Sequence, residues 1–224
     1  MLAPAVPDAV IFDLDGVLVD SEQLWNGAKE ALVRETGGAW RDEAATAMMG
    51  MSSPEWAAYL HDELGVPMDV GAINREVVRR MEEGYRRDLP LLPGAVEAVR
   101  RLAARWPLGL ASSSNRELID LVLEVAGFGD AFRVTVSSEE VARGKPAPDV
   151  YLAAAERLGV PPDRCVAIED SSNGLRSAAA AGMTVLAVPN PHYAPAADAL
   201  ALAAAAVPGV GDVTPELIER LSAV

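Results

Sequence analysis

The sequence predicts an α/β fold, a parallel sheet covered by helices with an all-helical segment inserted after the first strand. Short β-rich runs alternate with helical stretches along most of the 224 residues, and several of these stretches are followed by glycine, a common helix stop. About seventy residues after the first run show helical patterns only. Strand–helix alternation favours a parallel sheet buried on both faces.

The predicted strands are five apolar runs, each too short for a typical helix. They lie at residues 9–12, 108–111, 132–136, 165–168 and 184–188. Helical periodicity fills the intervals after Gly94, before Gly127, over 148–158 and over about 174–181. An alanine-rich stretch near 194–206 is predicted to be a surface helix or loop.

The predicted domain division places the α/β core at residues 1–20 and 90–224 and an all-helical cap at residues 21–89. Three periodic patterns support the cap. Leu24, Ala28, Ala31 and Glu35 share one helix face, Trp56, Leu60 and Leu64 share a second, and Ile73, Val77, Met81 and Tyr85 recur every four residues. Hinges are expected near residues 20–21 and 90–94.

Composition narrows the class of protein. Half of the residues are hydrophobic, and the formal net charge is −14. Such an acidic chain argues against nucleic acid or an anionic membrane as a partner, because both bind basic surfaces. It is compatible with a small phosphorylated metabolite if a metal ion and local donors offset the wider field. The single cysteine, Cys165, excludes an intramolecular disulfide. We expect a cytoplasmic protein that is a monomer or a weak homodimer.

Two carboxylates follow the first predicted strand, in the run Asp13-Leu14-Asp15-Gly16. The end of a strand rarely needs two acids, and a cation would offset their repulsion. Carboxylate oxygens are ligands that suit Mg²⁺. One carboxylate could then serve as a nucleophile and the other as a proton donor and acceptor. Gly16 allows the chain to turn sharply after them.

Three further polar clusters follow other predicted strands. Residues 112–115, Ser-Ser-Ser-Asn, precede a helix, where hydroxyls and backbone N–H groups can hold phosphate oxygens. Lys145 lies in the run 144–149, Gly-Lys-Pro-Ala-Pro-Asp, and Glu169 and Asp170 form a second acid pair. Because open α/β sheets bind ligands at the carboxyl ends of their strands, we expect all four clusters to form one site.

In this order, the four clusters resemble the motifs of the haloacid dehalogenase-like superfamily. The run 13–21 resembles the first motif, Ser112 the second, Lys145 the third, and the pair 169–170 the fourth. The resemblance covers nearly the whole chain and implies a Rossmann-like core. A helical insertion after the first motif is similar to the cap of the subgroup that contains β-phosphoglucomutase and small sugar-phosphate phosphatases.

The resemblance implies catalytic roles for five residues. Asp13 would attack phosphorus and form an aspartyl phosphate, and Asp15 would protonate the leaving oxygen and then activate water. Ser112, the Ser113 N–H and Lys145 would hold the phosphoryl oxygens, because positioning and charge neutralisation dominate this chemistry. Haloacid dehalogenases themselves lack the second aspartate of the first motif, whereas Asp15 is present here.

The resemblance also implies a Mg²⁺ site. Its ligands would be Asp13, the main-chain carbonyl of Asp15, and Asp170. Glu169 would help either as a ligand or by acting on another ligand.

Two positions bear on the substrate. β-Phosphoglucomutases usually carry a histidine in the region where this chain has Trp25, and a cap arginine for the distal phosphate where this chain has Ser53. The run 20–25, Asp-Ser-Glu-Gln-Leu-Trp, is more similar to phosphatases of hexose and hexitol phosphates. The predicted substrate-binding residues are Trp25, Ser52, Ser53, Ser113, Ser114 and Asn115.

We therefore predict a Mg²⁺-dependent phosphatase of small phosphomonoesters, in particular sugar or polyol phosphates. Three alternatives remain. A β-phosphoglucomutase-like mutase would need a cap that binds a second phosphate. A receiver-like phosphoacceptor domain is disfavoured by the motif order and by the helical insertion. A non-catalytic descendant is disfavoured because every chemical residue is present.

Overall fold

A computed structural model describes residues 7–48, 51–191 and 193–221. Its strands are β1 (Ala9–Phe12), β2 (Leu108–Ser112), β3 (Phe132–Ser137), β4 (Cys165–Glu169), β5 (Thr184–Ala187) and β6 (Ala205–Ala206). They form one parallel sheet in the order β3-β2-β1-β4-β5-β6. The predicted α/β class with a parallel sheet is confirmed, and each of the five predicted strands matches an observed one to within a residue at either end.

The strand β6 lies in the alanine-rich stretch for which the sequence predicts a helix or loop. Here the Ala204 N–H donates to the Val185 carbonyl at 2.8 Å, and the Val207 N–H donates to the Ala187 carbonyl at 2.9 Å. Alanine has little intrinsic preference for strands. This short edge strand is therefore formed by the backbone groups that β5 offers, which the local sequence does not reveal.

Helices cover both faces of the sheet. They are α1 (Glu22–Glu35), α2 (Ala44–Ala47), α3 (Ser53–Asp62), α4 (Val70–Arg87), α5 (Ala95–Ala103), α6 (Arg116–Val125), α7 (Asp149–Leu158), α8 (Ser172–Ala180), α9 (Ala197–Leu200) and α10 (Pro215–Leu221), with 3-10 turns at Ser138–Glu140, Pro162–Arg164 and Val210–Asp212. In β1, Val10 and Phe12 join the apolar core that includes α5 and α6, and Ala9 and Ile11 join the core that includes α7 and α8. Successive side chains of a strand point to opposite faces, so β1 is buried on both sides.

Helices α1 to α4 lie within residues 21–89, and the described residues of that range contain no strand of the sheet. The two chain segments that lead into and out of this range lie side by side. The Asp20 N–H donates to the Pro90 carbonyl at 2.8 Å, and the Leu92 N–H donates to the Leu18 carbonyl at 2.9 Å. The division into a core and a cap stays a prediction. None of the helices in the described ranges has the length and apolar composition needed to cross a bilayer.

The buried face of α1 differs from the predicted one. Trp25, Ala28, Lys29, Leu32 and Val33 are buried, whereas the sequence pattern centred the face on residues 24, 28 and 31. The difference arises from Lys29, because a helix face that carries a lysine is normally assigned to solvent. Helix α1 is therefore rotated so that Trp25 and Lys29 face inward.

Candidate active site

A cavity of about 310 Å³ lies between the carboxyl ends of the strands and helices α1 and α3. Most of the predicted site residues line it, namely Asp13, Asp15, Trp25, Ser53, Ser113, Ser114, Lys145 and Asp170. Ser52, Ser112, Asn115 and Glu169 are outside the lining. The parallel sheet thus brings the four sequence clusters to one edge, as its topology requires.

Lys145 joins two buried carboxylates. Its Nζ donates to Asp13 Oδ1 at 2.7 Å and to Glu169 Oε1 at 2.6 Å. Tyr151 Oη donates to the same Glu169 oxygen at 3.0 Å. Burial by itself lowers the pKa of Lys145, but attraction to Asp13 and Glu169 outweighs it and leaves the pKa above its ordinary value. The ammonium group therefore stays charged next to Asp13.

Negative charge in this part of the site exceeds what Lys145 can neutralise. Burial raises the pKa of Asp13 to about 7, against the attraction of Lys145. Burial also raises the pKa of Asp170 well above its usual range, and the charges of Glu169 and Asp13 raise it further. Buried carboxylates that lie together favour protonation unless a cation compensates them.

Three carboxylates can hold a metal ion. Asp13, Glu169 and Asp170 each offer one oxygen, and these oxygens lie within 4.8 Å of one another. Gly16 makes room for Asp170, because a Cβ at this position would collide with the Asp170 carboxylate. A set of hard oxygen ligands suits a divalent cation, and the excess negative charge is what such a cation would offset.

Glu169 has both of its oxygens engaged by protein donors. Its Oε2 accepts the N–H groups of Asp170 and Ser171 at 3.0 and 3.1 Å and the Ser171 hydroxyl at 3.2 Å. Gly174 in α8 permits this approach, because a Cβ there would collide with the Glu169 carboxylate. Glu169 therefore connects the end of β4 to the start of α8 and orients Lys145 beside Asp13.

Asp15 is held at the cavity by two short hydrogen bonds. Ser21 Oγ donates to Asp15 Oδ1 at 2.5 Å, and Ser114 Oγ donates to Asp15 Oδ2 at 2.6 Å. Longer contacts of 3.5 and 3.4 Å come from Trp25 Nε1 and Ser112 Oγ. The carboxylate is thus fixed between the residue that precedes α1 and the serines at and just after the end of β2.

Several predicted substrate-binding residues have protein partners. Ser52 forms a capping box with Glu55 at the start of α3, and its Oγ lies 2.7 Å from the Glu55 carboxylate. Ser53 Oγ donates to Asn115 Oδ1 at 2.8 Å. Ser112 is fully buried, and its Oγ accepts the Ser114 N–H at 3.0 Å. The predicted contacts of these residues with phosphate or substrate stay predictions.

Sequence reasoning missed part of the cavity wall. Lys29 and Glu22 line the cavity, and Trp56, for which only helix packing was predicted, lines it too. Tyr151, which contacts Glu169, was also missed. One signal was available for Lys29, because Lys29 and Lys145 are the only lysines in the sequence, and both line this cavity.

Fold and site together define a protein of the α/β class whose acidic and basic groups meet at the carboxyl edge of a parallel sheet. The chain belongs to the haloacid dehalogenase-like hydrolase family, whose model matches residues 7–182. The predicted family is thereby confirmed. Members of this family generally depend on a metal ion, in agreement with the acidic cluster described above.

Individual relatives include phosphatases. The chain is 36% identical over 191 residues to a "Probable pseudouridine-5'-phosphatase" of Drosophila melanogaster, covering 81% of each chain. It is 35% identical over 190 residues to hexitol phosphatase B of Escherichia coli, covering 82% of this chain and 84% of the relative. These relatives support the predicted enzyme class.

Solved structures share the whole architecture. CbbY from Rhodobacter sphaeroides in complex with phosphate has a TM-score of 0.82 at 27% identity, covering 92% of this chain and 96% of that one. A β-phosphoglucomutase from Clostridium difficile also has a TM-score of 0.82, at 23% identity, covering 96% and 97%. The second likeness shows a common fold.

Proposed function

We propose that this protein is a Mg²⁺-dependent phosphatase that hydrolyses small sugar or polyol phosphates through an aspartyl phosphate at Asp13. The observation that carries the proposal is the Lys145 ammonium, which lies 2.7 Å from Asp13 Oδ1 in a cavity that Asp15 and Asp170 also line. A nucleophile, an acid–base group, a fixed cation and a set of metal ligands are thus available to one phosphoryl group.

The proposed reaction has two steps. Asp13 attacks phosphorus, and the bond between phosphorus and the leaving oxygen breaks while Asp15 gives that oxygen a proton. Asp15 then takes a proton from water, which attacks the aspartyl phosphate and releases inorganic phosphate and the Asp13 carboxylate. The hydrogen bonds from Ser21 and Ser114 support this role, because they hold both oxygens of Asp15 at the cavity.

The metal in this proposal is Mg²⁺. Asp13, Asp170 and the main-chain carbonyl of Asp15 would hold it, and when bound it would supply positive charge for the phosphoryl oxygens. We assign Glu169 a positioning role, because both of its oxygens already accept hydrogen bonds from protein groups. Lys145 and the Ser113 N–H would hold the phosphoryl oxygens.

Hydrolysis is favoured over phosphoryl transfer to a sugar by the composition of the cavity wall. A mutase holds its sugar by a second phosphate, for which a forked arginine is well suited. No arginine is among the described residues that line the cavity, and the Ser53 hydroxyl donates a hydrogen bond to Asn115. The phosphatases among the relatives support the same conclusion. We further propose that the protein is cytoplasmic and is a monomer or a weak homodimer.

The test is a screen of phosphate release from hexose, hexitol and nucleoside monophosphates, with Mg²⁺ and with chelator. We expect release from the sugar and polyol esters only with the metal. The mutase alternative is separated by incubation with β-glucose 1-phosphate and a trace of the bisphosphate. Conversion to glucose 6-phosphate without release of inorganic phosphate would overturn the proposal.

A further inference from the structure

Lys29 occupies an unusual place on α1. The residue is 6% exposed and lines the cavity together with Trp25 and Trp56. Its Nζ lies 5.3 Å from the centroid of the Trp25 ring and 5.1 Å from that of Trp56. The two rings belong to different helices and lie 5.9 Å apart, centroid to centroid. We call these three residues the Trp–Lys–Trp cluster.

The ammonium group of this cluster lacks an acceptor. Within the described ranges, Lys29 Nζ has no hydrogen-bond or ion-pair partner and instead lies over the two ring faces. Ring faces offset part of the cost of desolvating a cation, but an ammonium group has three N–H donors. Burial lowers the pKa of Lys29 to about 8, against the attraction of Glu22 and Asp15. A ligand oxygen in the cavity would supply an acceptor.

The charges around the cavity decide which kind of oxygen fits. Asp15, Asp20 and Glu22 line the cavity with Lys29, and the carboxylates of Glu22 and Asp15 act on its charge. A second anionic group on the ligand would be repelled by these acids. A hydroxyl group can accept from Lys29 and donate to a neighbouring carboxylate. Apolar ring faces next to these polar groups suit the C–H surface of a sugar or polyol.

From this geometry we propose that Lys29, held between Trp25 and Trp56, selects a neutral polyhydroxy alcohol as the leaving group by donating a hydrogen bond to one of its hydroxyls. This inference rests on the proposed phosphatase function and specifies its substrate class. Lys145 then binds the phosphoryl group, and Lys29 binds a hydroxyl of the alcohol. Lys29 is a specificity-determining residue with no part in the bond-breaking steps.

The two lysines of the chain allow a direct test. Protein with the Asp13→Asn substitution is labelled with [¹³C]lysine, so that its NMR spectrum contains two lysine side chains, and Lys29→Arg assigns them. It is titrated in Mg²⁺ with sorbitol 6-phosphate and, separately, with inorganic phosphate. We expect the ester to move both signals and inorganic phosphate to move only that of Lys145. Movement of the Lys145 signal alone by the ester would overturn the inference.

Kinetics provide a second readout on otherwise wild-type protein. Lys29→Met keeps the length of the side chain but removes its charge, and we expect KM for sorbitol 6-phosphate to rise by about tenfold or more. For phenyl phosphate, which has no hydroxyl, kcat/KM should change by less than about twofold. Lys29→Arg should retain most of the selectivity. Arg34→Met removes an exposed cation of the same helix and should have no effect.

The outcomes separate this inference from the proposed function. If wild-type protein releases no phosphate from any ester, the proposed function fails. If it is active but Lys29→Met lowers kcat/KM equally for sorbitol 6-phosphate and phenyl phosphate, Lys29 has only a structural role. If 6-phosphogluconate, which carries a second anion, binds more tightly than sorbitol 6-phosphate, the assignment of a neutral alcohol is wrong.

Discussion

Ser53 Oγ donates a hydrogen bond to Asn115 Oδ1 at 2.8 Å, across 62 positions of the sequence. Ser53 begins α3 in the predicted cap, and Asn115 precedes α6 in the predicted core; both are buried. Asn115 Nδ2 also donates to Glu139 Oε1 at 2.7 Å, in the turn that follows β3. One buried amide therefore connects three elements next to the cavity.

The Ser53–Asn115 contact should contribute measurably to stability. Ser53→Ala leaves a buried carbonyl oxygen of Asn115 without this donor, and an unsatisfied buried group costs about 1–3 kcal/mol. We expect a double-mutant cycle with Asn115→Ala to give a coupling energy of about 1–2 kcal/mol in urea unfolding. Additive effects of the two substitutions would contradict a direct interaction. Asn115→Ala also removes the hydrogen bond to Glu139. The cycle subtracts this loss, because it occurs in both variants that carry Asn115→Ala.

The Asp13→Asn substitution should abolish turnover without unfolding the protein. An amide has nearly the same shape as the carboxylate but is a poor nucleophile and a weaker metal ligand. We expect phosphate release to fall by at least about 10³-fold, while circular dichroism keeps its wild-type form. A variant that retains a tenth of the activity would show that another group attacks phosphorus.

Lys145→Met should be strongly destabilising. The substitution leaves Asp13 and Glu169 buried without their shared cation, and breaking a buried ion pair costs about 3–5 kcal/mol. A matched control lies two residues away, because Arg143 pairs with Asp149 at 2.9 Å on the surface and is 70% exposed. Arg143→Met should change the free energy of unfolding by less than about 1 kcal/mol. Equal effects in urea unfolding would contradict this account.

Removal of a proposed metal ligand should raise the metal requirement. Asp170→Ala removes one of the clustered carboxylates, so we expect half-maximal activity to need at least about tenfold more Mg²⁺. Chelator should abolish wild-type activity, and added Mg²⁺ should restore it. Turnover that persists in chelator would rule out a metal-dependent reaction. Asp149→Ala, at the surface pair with Arg143, is the control.

The affinity for polyol esters should depend on pH through Lys29. Burial lowers the pKa of this ammonium to about 8, while Glu22 and Asp15 raise it in part. Lys29 is therefore charged below pH 8 and becomes neutral as the pH rises through that value. Because charge-assisted hydrogen bonds are about twice as strong as neutral ones, KM for sorbitol 6-phosphate should rise above pH 8. The profile should be flat in Lys29→Met, and an unchanged profile would contradict this role.

Much of the site could be predicted because its parts are local. Asp13 follows β1, the run 112–115 includes the end of β2 and the residues after it, and Asp170 follows β4. Strands that are parallel place their carboxyl ends at one edge. A sequence pattern that identifies the strands therefore also predicts that these clusters meet, although it does not give the bonds between them.

The α/β class, the parallel sheet and the order of the four clusters could be predicted from the sequence alone, since each depends on short-range patterns of apolar and polar residues. The burial of Lys29, the hydrogen bond between Ser53 and Asn115, and the hydrogen bonds that protein donors make to Glu169 follow from tertiary packing. Each of these outcomes depends on groups from separate elements. Lys29 lies between rings from α1 and α3, and the packing of those helices, rather than the helical period of either one, brings the rings together.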